Sequence, residues 1–210
     1  TVITGPVSGE TWCFDTTNGS LRNYRSGAWR SLIAINETRW NTAVGENTLA
    51  VTTTAETSVA IGTDAAASVT TANGTVAVGY KALDDLTTGS FNLAIGPNAL
   101  QYATTASSNL AIGHNSMGEQ AGGAGSGPSA TANVGVGEQT LGAITSGASN
   151  VAVGHQAAQR LTTGSRNTAV GPEAMRVNTL TGSDNAAVGY LALGRVTSGS
   201  NSVAVGSAAL

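Results

Sequence analysis

Small apolar, branched apolar and polar residues follow one another in a fixed order along this chain, in short groups that each end at a glycine. The recurring phrase is Asn-x-Ala-(Val or Ile)-Gly, with Leu, Met or Ala four residues after the glycine. Successive repeat glycines are 17 residues apart, except for one spacing of 24 and one of 18. The repeat glycines are Gly45, Gly62, Gly79, Gly96, Gly113, Gly137, Gly154, Gly171, Gly189 and Gly206. Ten copies at a nearly constant period predict a β-solenoid of about ten 17-residue coils.

The positions before each glycine predict a short strand with apolar residues on both sides. Ala stands two residues before the glycine in nine of ten copies, with Gly135 as the exception, and Val or Ile stands one residue before it in all ten. Because neighbouring strand residues face opposite sides, we expect burial on both sides. The glycine would allow a turn or a close approach of backbones. Asn stands four residues before the glycine in seven copies, and we expect these amides to stack and to bond to turn backbone: Asn41, Asn92, Asn109, Asn133, Asn150, Asn167 and Asn185.

The second half of the period is polar and typical of turns, as in Thr87-Thr88-Gly89-Ser90. Each coil is therefore predicted to contain two short strands joined by two turns. With coils about 4.8 Å apart, ten coils would make a rod roughly 48 Å long. The spacing of 24 contains a glycine-rich insertion loop at about 118–131, and the spacing of 18 contains a one-residue bulge near Thr181. Both leave the phase of the following coils unchanged.

The small number of apolar residues in each coil bears on the assembly state. About three apolar side chains per coil, some of them Ala, are too few for an isolated narrow roll. The apolar side that remains after the interior is filled needs a partner, which rods of this kind find through rotational symmetry. The residues therefore predict a cyclic homo-oligomer.

Residues 1–40 lack the repeat and contain all three tryptophans. Asn18-Gly19 predicts a tight hairpin turn between two strands, and a turn at Ser26-Gly27 leads into a third strand. We interpret this segment as a small β-meander that caps the roll or connects it to an upstream shaft. The predicted domains are thus 1–40, the meander, and 41–210, the roll.

Composition and charge exclude several function classes. The 210-residue chain has 10% charged and 4% aromatic residues, and its 9 basic and 12 acidic side chains give a net charge of −3. No basic stripe supports nucleic-acid binding. No apolar run reaches membrane-span length and no signal peptide is visible. The single cysteine, Cys13, excludes an internal disulfide, and we expect it to have a packing role.

The candidate chemical groups do not predict an active site. His114 and His155 directly follow a repeat glycine, where other copies have Glu, Thr, Tyr, Pro or Ser, which is typical of a solvent-facing corner. Asp84-Asp85 is the only pair of adjacent carboxylates, and neighbouring strand residues diverge rather than converge on one bond. We therefore predict no enzymatic activity, no cofactor and no metal. Threonine pairs such as Thr87-Thr88 recur eight and nine residues after the glycine, which leaves an ice-binding solenoid as an alternative.

Two of the copies carry a family resemblance. Asn167-Thr168-Ala169-Val170-Gly171-Pro172-Glu173-Ala174-Met175 and Asn201-Ser202-Val203-Ala204-Val205-Gly206 resemble the repeats of YadA-like heads, and the 17-residue period is similar to repeats in phage tail fibres. The resemblance covers 41–210 and implies a left-handed parallel β-roll, assembled as a homotrimer. Phage fibres of this kind often end in an endosialidase-type intramolecular chaperone. YadA-like heads belong to trimeric autotransporter adhesins of bacteria.

These observations together predict a structural segment of a phage tail fibre. It would be extracellular on the virion, contact other fibre or baseplate proteins, and contribute to host attachment as a rigid spacer or adhesive head. The alternative is the head of a bacterial trimeric autotransporter adhesin on the cell surface. Candidate contacts with a host glycan or protein are Tyr80, His114, His155 and Tyr190, together with the insertion loop.

Overall fold

The structure is a computed structural model of the chain. It describes residues 11–15, 20–25, 28–36, 41–50, 54–118, 130–176, 181–195 and 197–209. In this part of the chain there are strands and turns but no helix.

Thirteen strands form one sheet, in which each strand pairs with the next one in sequence. The first three strands are antiparallel: β1 (Thr11–Asp15), β2 (Ser20–Arg25) and β3 (Ala28–Asn36). The remaining ten are parallel to one another: β4 (Asn41–Val44), β5 (Val59–Ile61), β6 (Val76–Val78), β7 (Leu93–Ile95), β8 (Leu110–Ile112), β9 (Val134–Val136), β10 (Val151–Val153), β11 (Thr168–Val170), β12 (Ala186–Val188) and β13 (Val203–Val205). The predicted all-β parallel solenoid is confirmed, with about nine turns between the ten parallel strands.

The predicted N-terminal meander is present as β1, β2 and β3, and it continues the sheet of the roll. Strand β3 pairs antiparallel with β4, with Ile33 opposite Val44 and Asn36 opposite Asn41. The first edge of the parallel stack is thereby covered by another strand, as expected for a solenoid. The predicted turns at Asn18-Gly19 and Ser26-Gly27 lie outside the described residues, as does the side chain of Cys13, for which a packing role was predicted.

We number the coils 1–10 by their repeat glycines and count positions within a coil from that glycine. Both irregular spacings preserve the phase, as predicted. Leu110 of coil 5 pairs with Val134 of coil 6 across the seven extra residues, and Thr168 pairs with Ala186 across the single extra residue. Neither change in length therefore shifts the register of the parallel strands.

The prediction of two strands per coil was wrong, because each coil contains one strand in the part of the chain that the structure describes. Left-handed backbone recurs at positions +2, +4 and −5 of successive coils, for example at Lys81 (φ 55°), Leu83 (φ 55°) and Phe91 (φ 59°). Such residues reverse the chain locally and prevent a second extended run. The turn half is still bonded from coil to coil, as in the 2.8 Å hydrogen bond from the amide of Thr87 to the carbonyl of Thr104.

The interior is filled by more columns of side chains than the sequence predicted. Ala at −2 and Leu or Met at +4 point inward as expected, and Ala94 and Leu100 are fully buried. Three further columns are also buried, at −7, +3 and +7. The largest fully buried apolar side chains are Leu83, Leu86, Leu100, Met117, Leu141, Ile144, Leu161, Met175, Leu193 and Val69.

The repeat glycines have both roles that the sequence suggested. Gly171 has a φ of +127°, and a Cβ added to it would lie 2.7 Å from the carbonyl oxygen of Gly189 in the next coil. Both the backbone angle and the close approach of adjacent coils therefore exclude a side chain. At Gly206 only the angle, φ +126°, imposes this restriction, since no atom lies within 4 Å.

Candidate functional site

A buried asparagine ladder fixes one inner corner of the roll. The Oδ1 atom of Asn150 accepts from the amide (2.9 Å) and the Nδ2 group (3.1 Å) of Asn167 in the next coil. The Nδ2 group of Asn150 donates to the carbonyl of Gly164 at 2.9 Å. The same pattern links Asn92, Asn109, Asn133, Asn150, Asn167 and Asn185. The predicted stacking of asparagines on one another and on turn backbone is confirmed.

The ladder is incomplete in coils 2, 3 and 10, where Ser58, Thr75 and Ser202 replace Asn. The backbone amide of Ser58 still donates to Oδ1 of Asn41 at 2.8 Å. The buried Oγ1 atom of Thr75, in contrast, has no hydrogen-bond partner among the described residues. The inner corner is therefore less well satisfied at coil 3 than in coils 4–9.

The single exception to Ala at −2, Gly135, has a local cause. Ser116 and Thr140 occupy the +3 positions of coils 5 and 6, where neighbouring coils have Ala, and their buried hydroxyls bond to each other at 2.8 Å. A Cβ on Gly135 would lie 2.8 Å from Oγ1 of Thr140 and 2.9 Å from Oγ of Ser116. The two hydroxyls thus fill the space that the Ala side chain occupies elsewhere.

The outward face of strands β4–β13, which we call the outer sheet face, presents two apolar columns at −3 and −1. Because inward Ala alternates with outward Val, Leu or Ile, both columns lie on one side of the sheet. Several of these side chains are more than a third exposed: Ile61, Ile95, Val151, Val153, Val170, Val188, Val203 and Val205. In the single chain, the predicted burial is present on the inner side of the strands but not on the outer side.

The candidate contacts Tyr80, His114, His155 and Tyr190 all lie in the +1 column beside this face. They belong to coils 3, 5, 7 and 9, so another residue lies between each successive pair. All four are exposed, Tyr80 and Tyr190 to about one half. The structure aligns these four residues along the rod but does not gather them into one cluster.

The two histidines are separated by Glu138, which belongs to the intervening coil. Nδ1 of His114 lies 3.6 Å from Oε1 of Glu138, and both side chains are about half exposed. The described residues contain no group of three or more His, Cys, Asp or Glu side chains that could hold a metal ion. Within that part of the chain there is also no helix with the length and apolarity to cross a membrane.

Asp84 and Asp85 lie in the turn half of coil 3 rather than in a cleft. Partial burial raises the pKa of Asp84, although Lys81, with its Nζ atom 3.6 Å from the carboxylate, favours the ionised form. Asp85 is exposed. The two carboxylates thus differ in environment, Asp84 being partly buried and Asp85 exposed.

The threonine pairs divide into one column that bonds between coils and one that is exposed. At +8, Oγ1 of Thr70, Thr87 and Thr145 donates to the carbonyl of the equivalent threonine in the next coil, at 2.9–3.0 Å. At +9, Thr88 and Thr105 are exposed. A single exposed column is narrower than the flat array of threonines that an ice-binding surface presents.

A group of arginines that the repeat pattern did not predict lies on the turn half of coils 7–9. Arg160, Arg176 and Arg195 occupy positions +6, +5 and +6 of successive coils. Because these positions differ from coil to coil, the repeat did not predict them; only the clustering of basic residues after residue 159 could have predicted them.

No protein-family model matches the chain, and no curated protein or solved structure gives a significant match.

Proposed function

We propose that this chain is a non-enzymatic structural segment of a homotrimeric surface fibre, of the kind found in phage tail fibres. The observation that supports this most strongly is the outer sheet face, with a column of Val and Ile at position −1 and a parallel column at −3 that is Val or Leu in seven of ten coils. The columns are about 7 Å apart and extend about 48 Å along the rod. A largely apolar surface of this length, interrupted only by Thr42 and Thr168, is typical of an interaction surface.

Copies of the same chain are the best occupants of this face. Parallel strands are normally covered on both sides, and the partner must be as long and as regular as the stack itself. Rotational symmetry supplies such a partner without a second gene product. The choice of three chains comes from the resemblance to YadA-like heads.

The proposed role is that of a rigid spacer or adhesive head. The coils are connected by hydrogen bonds of backbone, asparagine, serine and threonine along the whole stack, which makes the rod stiff. Tyr80, His114, His155 and Tyr190 are the proposed contacts with a host glycan or protein. Repeated weak contacts on three chains would gain from multivalency. A bacterial adhesin head is the alternative, and a contiguous chaperone-coding region after Leu210 would favour the phage fibre.

The decisive experiment is the native mass by light scattering, first for the wild-type chain and then for Val153→Lys. The wild type is expected at three chains. Val153 lies on the outer sheet face, so a lysine there would be buried among apolar side chains in the oligomer and should reduce the mass to one chain. The matched control is Thr163→Lys, which adds the same charge at an exposed turn position of the same coil and should leave the mass unchanged.

A wild-type monomer would contradict the proposal. A stable dimer would replace the trimer while retaining the outer sheet face as the interface. Equal masses for Val153→Lys and the wild type would place the interface elsewhere on the chain.

A further inference from the structure

The turn half of coils 7–9 has a charge that differs from the rest of the roll. Residues 154–209 contain four arginines (Arg160, Arg166, Arg176 and Arg195) and two carboxylates (Glu173 and Asp184), which gives a net charge of +2. Residues 41–118 contain one lysine and five carboxylates, which gives a net charge of −4. The chain as a whole is acidic, so this positive segment is a local feature.

Three of the four arginines lie on one edge of the rod, which we call the arginine edge. Arg160, Arg176 and Arg195 are at positions +6, +5 and +6 of consecutive coils. With a rise of about 4.8 Å per coil, Arg160 and Arg195 are separated by about 10 Å along the axis, with Arg176 between them. The equivalent positions in coil 3 are Asp84 and Asp85, so the same edge carries the opposite charge nearer the N-terminus.

The middle arginine is held in place by its neighbours. Nη1 of Arg176 lies 2.7 Å from Oε2 of Glu173, and its Nε donates to Oε1 of Gln159 at 3.3 Å. Arg160 and Arg195 are exposed and have no ion pair within the described part of the chain. Two guanidiniums therefore face solvent on either side of a fixed third one.

Arg166, the fourth arginine, forms an ion pair, unlike Arg160 and Arg195. Its Nε and Nη2 atoms donate to the two carboxylate oxygens of Asp184 at 2.6 and 2.8 Å. These hydrogen bonds lower the pKa of Asp184. Arg166 is at position −5, on a different corner of the coil, and its charge is neutralised.

We propose that the arginine edge binds an anionic polysaccharide, with sulfate, phosphate or carboxylate groups seated on Arg160 and Arg195. Guanidinium groups form paired, charge-assisted hydrogen bonds with such groups. Adjacent like charges on a surface repel one another, and an extended polyanion running along the rod removes that repulsion. The edge does not belong to the outer sheet face, so it stays available when that face is covered.

This inference extends the adhesive role of the proposed function by naming a ligand class, and it uses a surface separate from the oligomer interface. The probe is immobilised heparin, a sulfated polysaccharide, with binding of the full chain measured by surface plasmon resonance over a series of salt concentrations. The test variant is Arg160→Gln/Arg195→Gln. The matched control is Arg166→Gln/Asp184→Asn, which removes an arginine from the same coils without changing net charge.

We expect the double arginine variant to bind heparin at least tenfold more weakly and with a shallower dependence on salt. The control should remain within about twofold of the wild type. Circular dichroism melting of each variant shows whether folding is intact. Because the readout is heparin binding, the inference can fail while the native mass still shows a trimer, and the reverse also holds.

Four outcomes would overturn the inference. The wild-type chain could fail to bind heparin at low salt, or the control could lose as much binding as the double arginine variant. Tighter binding of double-stranded DNA than of heparin would instead identify a nucleic-acid surface. A fall in native mass on removing Arg160 and Arg195 would identify the occupant as the Asp84-Asp85 edge of a second copy.

Discussion

The inner and outer faces of strands β4–β13 follow different rules, although they alternate along the same few residues. On the inner face, position −2 is Ala in all coils but one, and position −4 is Asn in seven of ten. On the outer face, position −3 accepts Thr, Val, Leu and Ala, and the adjoining +1 column accepts residues as different as Tyr, Pro, His and Glu. The inner positions are buried and the outer ones half-buried or exposed.

This difference shows where the fold is specified and where function can vary. Inside, position −2 leaves space for Ala, and its one substitution, Gly135, is matched by the neighbouring hydroxyls of Ser116 and Thr140. Outside, a residue is half-buried or exposed in the single chain, and the repeat restricts the residue type much less. Binding properties can therefore change along the rod without changing its coils.

Gly171→Ala is the substitution that should break the inner packing most severely. The new Cβ would lie 2.7 Å from the carbonyl oxygen of Gly189, and the backbone would be held at φ +127°. We expect a loss of about 3 kcal/mol or more in the free energy of unfolding, from strained backbone and overpacking together. Urea unfolding monitored by circular dichroism measures it.

The matched control for that prediction is Gly206→Ala, which has the same backbone angle but no atom within 4 Å of the added Cβ. Its loss should be only about 1–3 kcal/mol, from the backbone angle alone. Equal losses at Gly171 and Gly206 would mean that the close approach of coils contributes nothing to the requirement for glycine.

The features that could be predicted from sequence are those that sterics impose on residue type. A backbone angle near +130° selects glycine, and a stacked buried amide selects Asn, so both appear as a period. The phase across the insertion could be predicted because the phrase resumes unchanged at Asn133.

Other features of the structure could not be predicted from the sequence. Leu83 and Leu100 adopt left-handed backbone, which is unusual for bulky residues, and nothing in their neighbours indicates this. The predicted second strand was wrong for that reason. The arginine edge was missed because positions +5 and +6 vary between coils, so Arg160 and Arg195 belong to no period.

Gly135 gives a sharper test of how inner positions compensate for one another. Gly135→Ala alone should lower the free energy of unfolding by about 1–3 kcal/mol, because its Cβ would crowd the hydroxyls of Ser116 and Thr140. The triple variant Gly135→Ala/Ser116→Ala/Thr140→Ala restores the combination found in coils 3 and 4 and should recover most of that loss. Thermal melting of the single and triple variants measures the coupling. Losses that simply add would show that the three positions are independent.

Thr75→Asn is the smallest effect and the only expected gain. The ladder runs from Asn92 to Asn185, and Thr75 has a buried hydroxyl without a partner among the described residues. An asparagine there could accept from the amide of Asn92 and donate to the carbonyl of Gly89, as its counterparts do one coil further on. We expect a gain of about 1 kcal/mol in the free energy of unfolding.

The control that separates the two contributions is Thr75→Val, which has nearly the same shape and removes the unpartnered hydroxyl without adding an amide. If the ladder itself stabilises the coil, Thr75→Asn must melt at a higher temperature than Thr75→Val. If the two variants melt together, the gain comes only from removing an unsatisfied buried oxygen. The asparagine column would then be a consequence of burial at position −4, where the inner corner needs some bonded polar group, rather than a cooperative element of the roll.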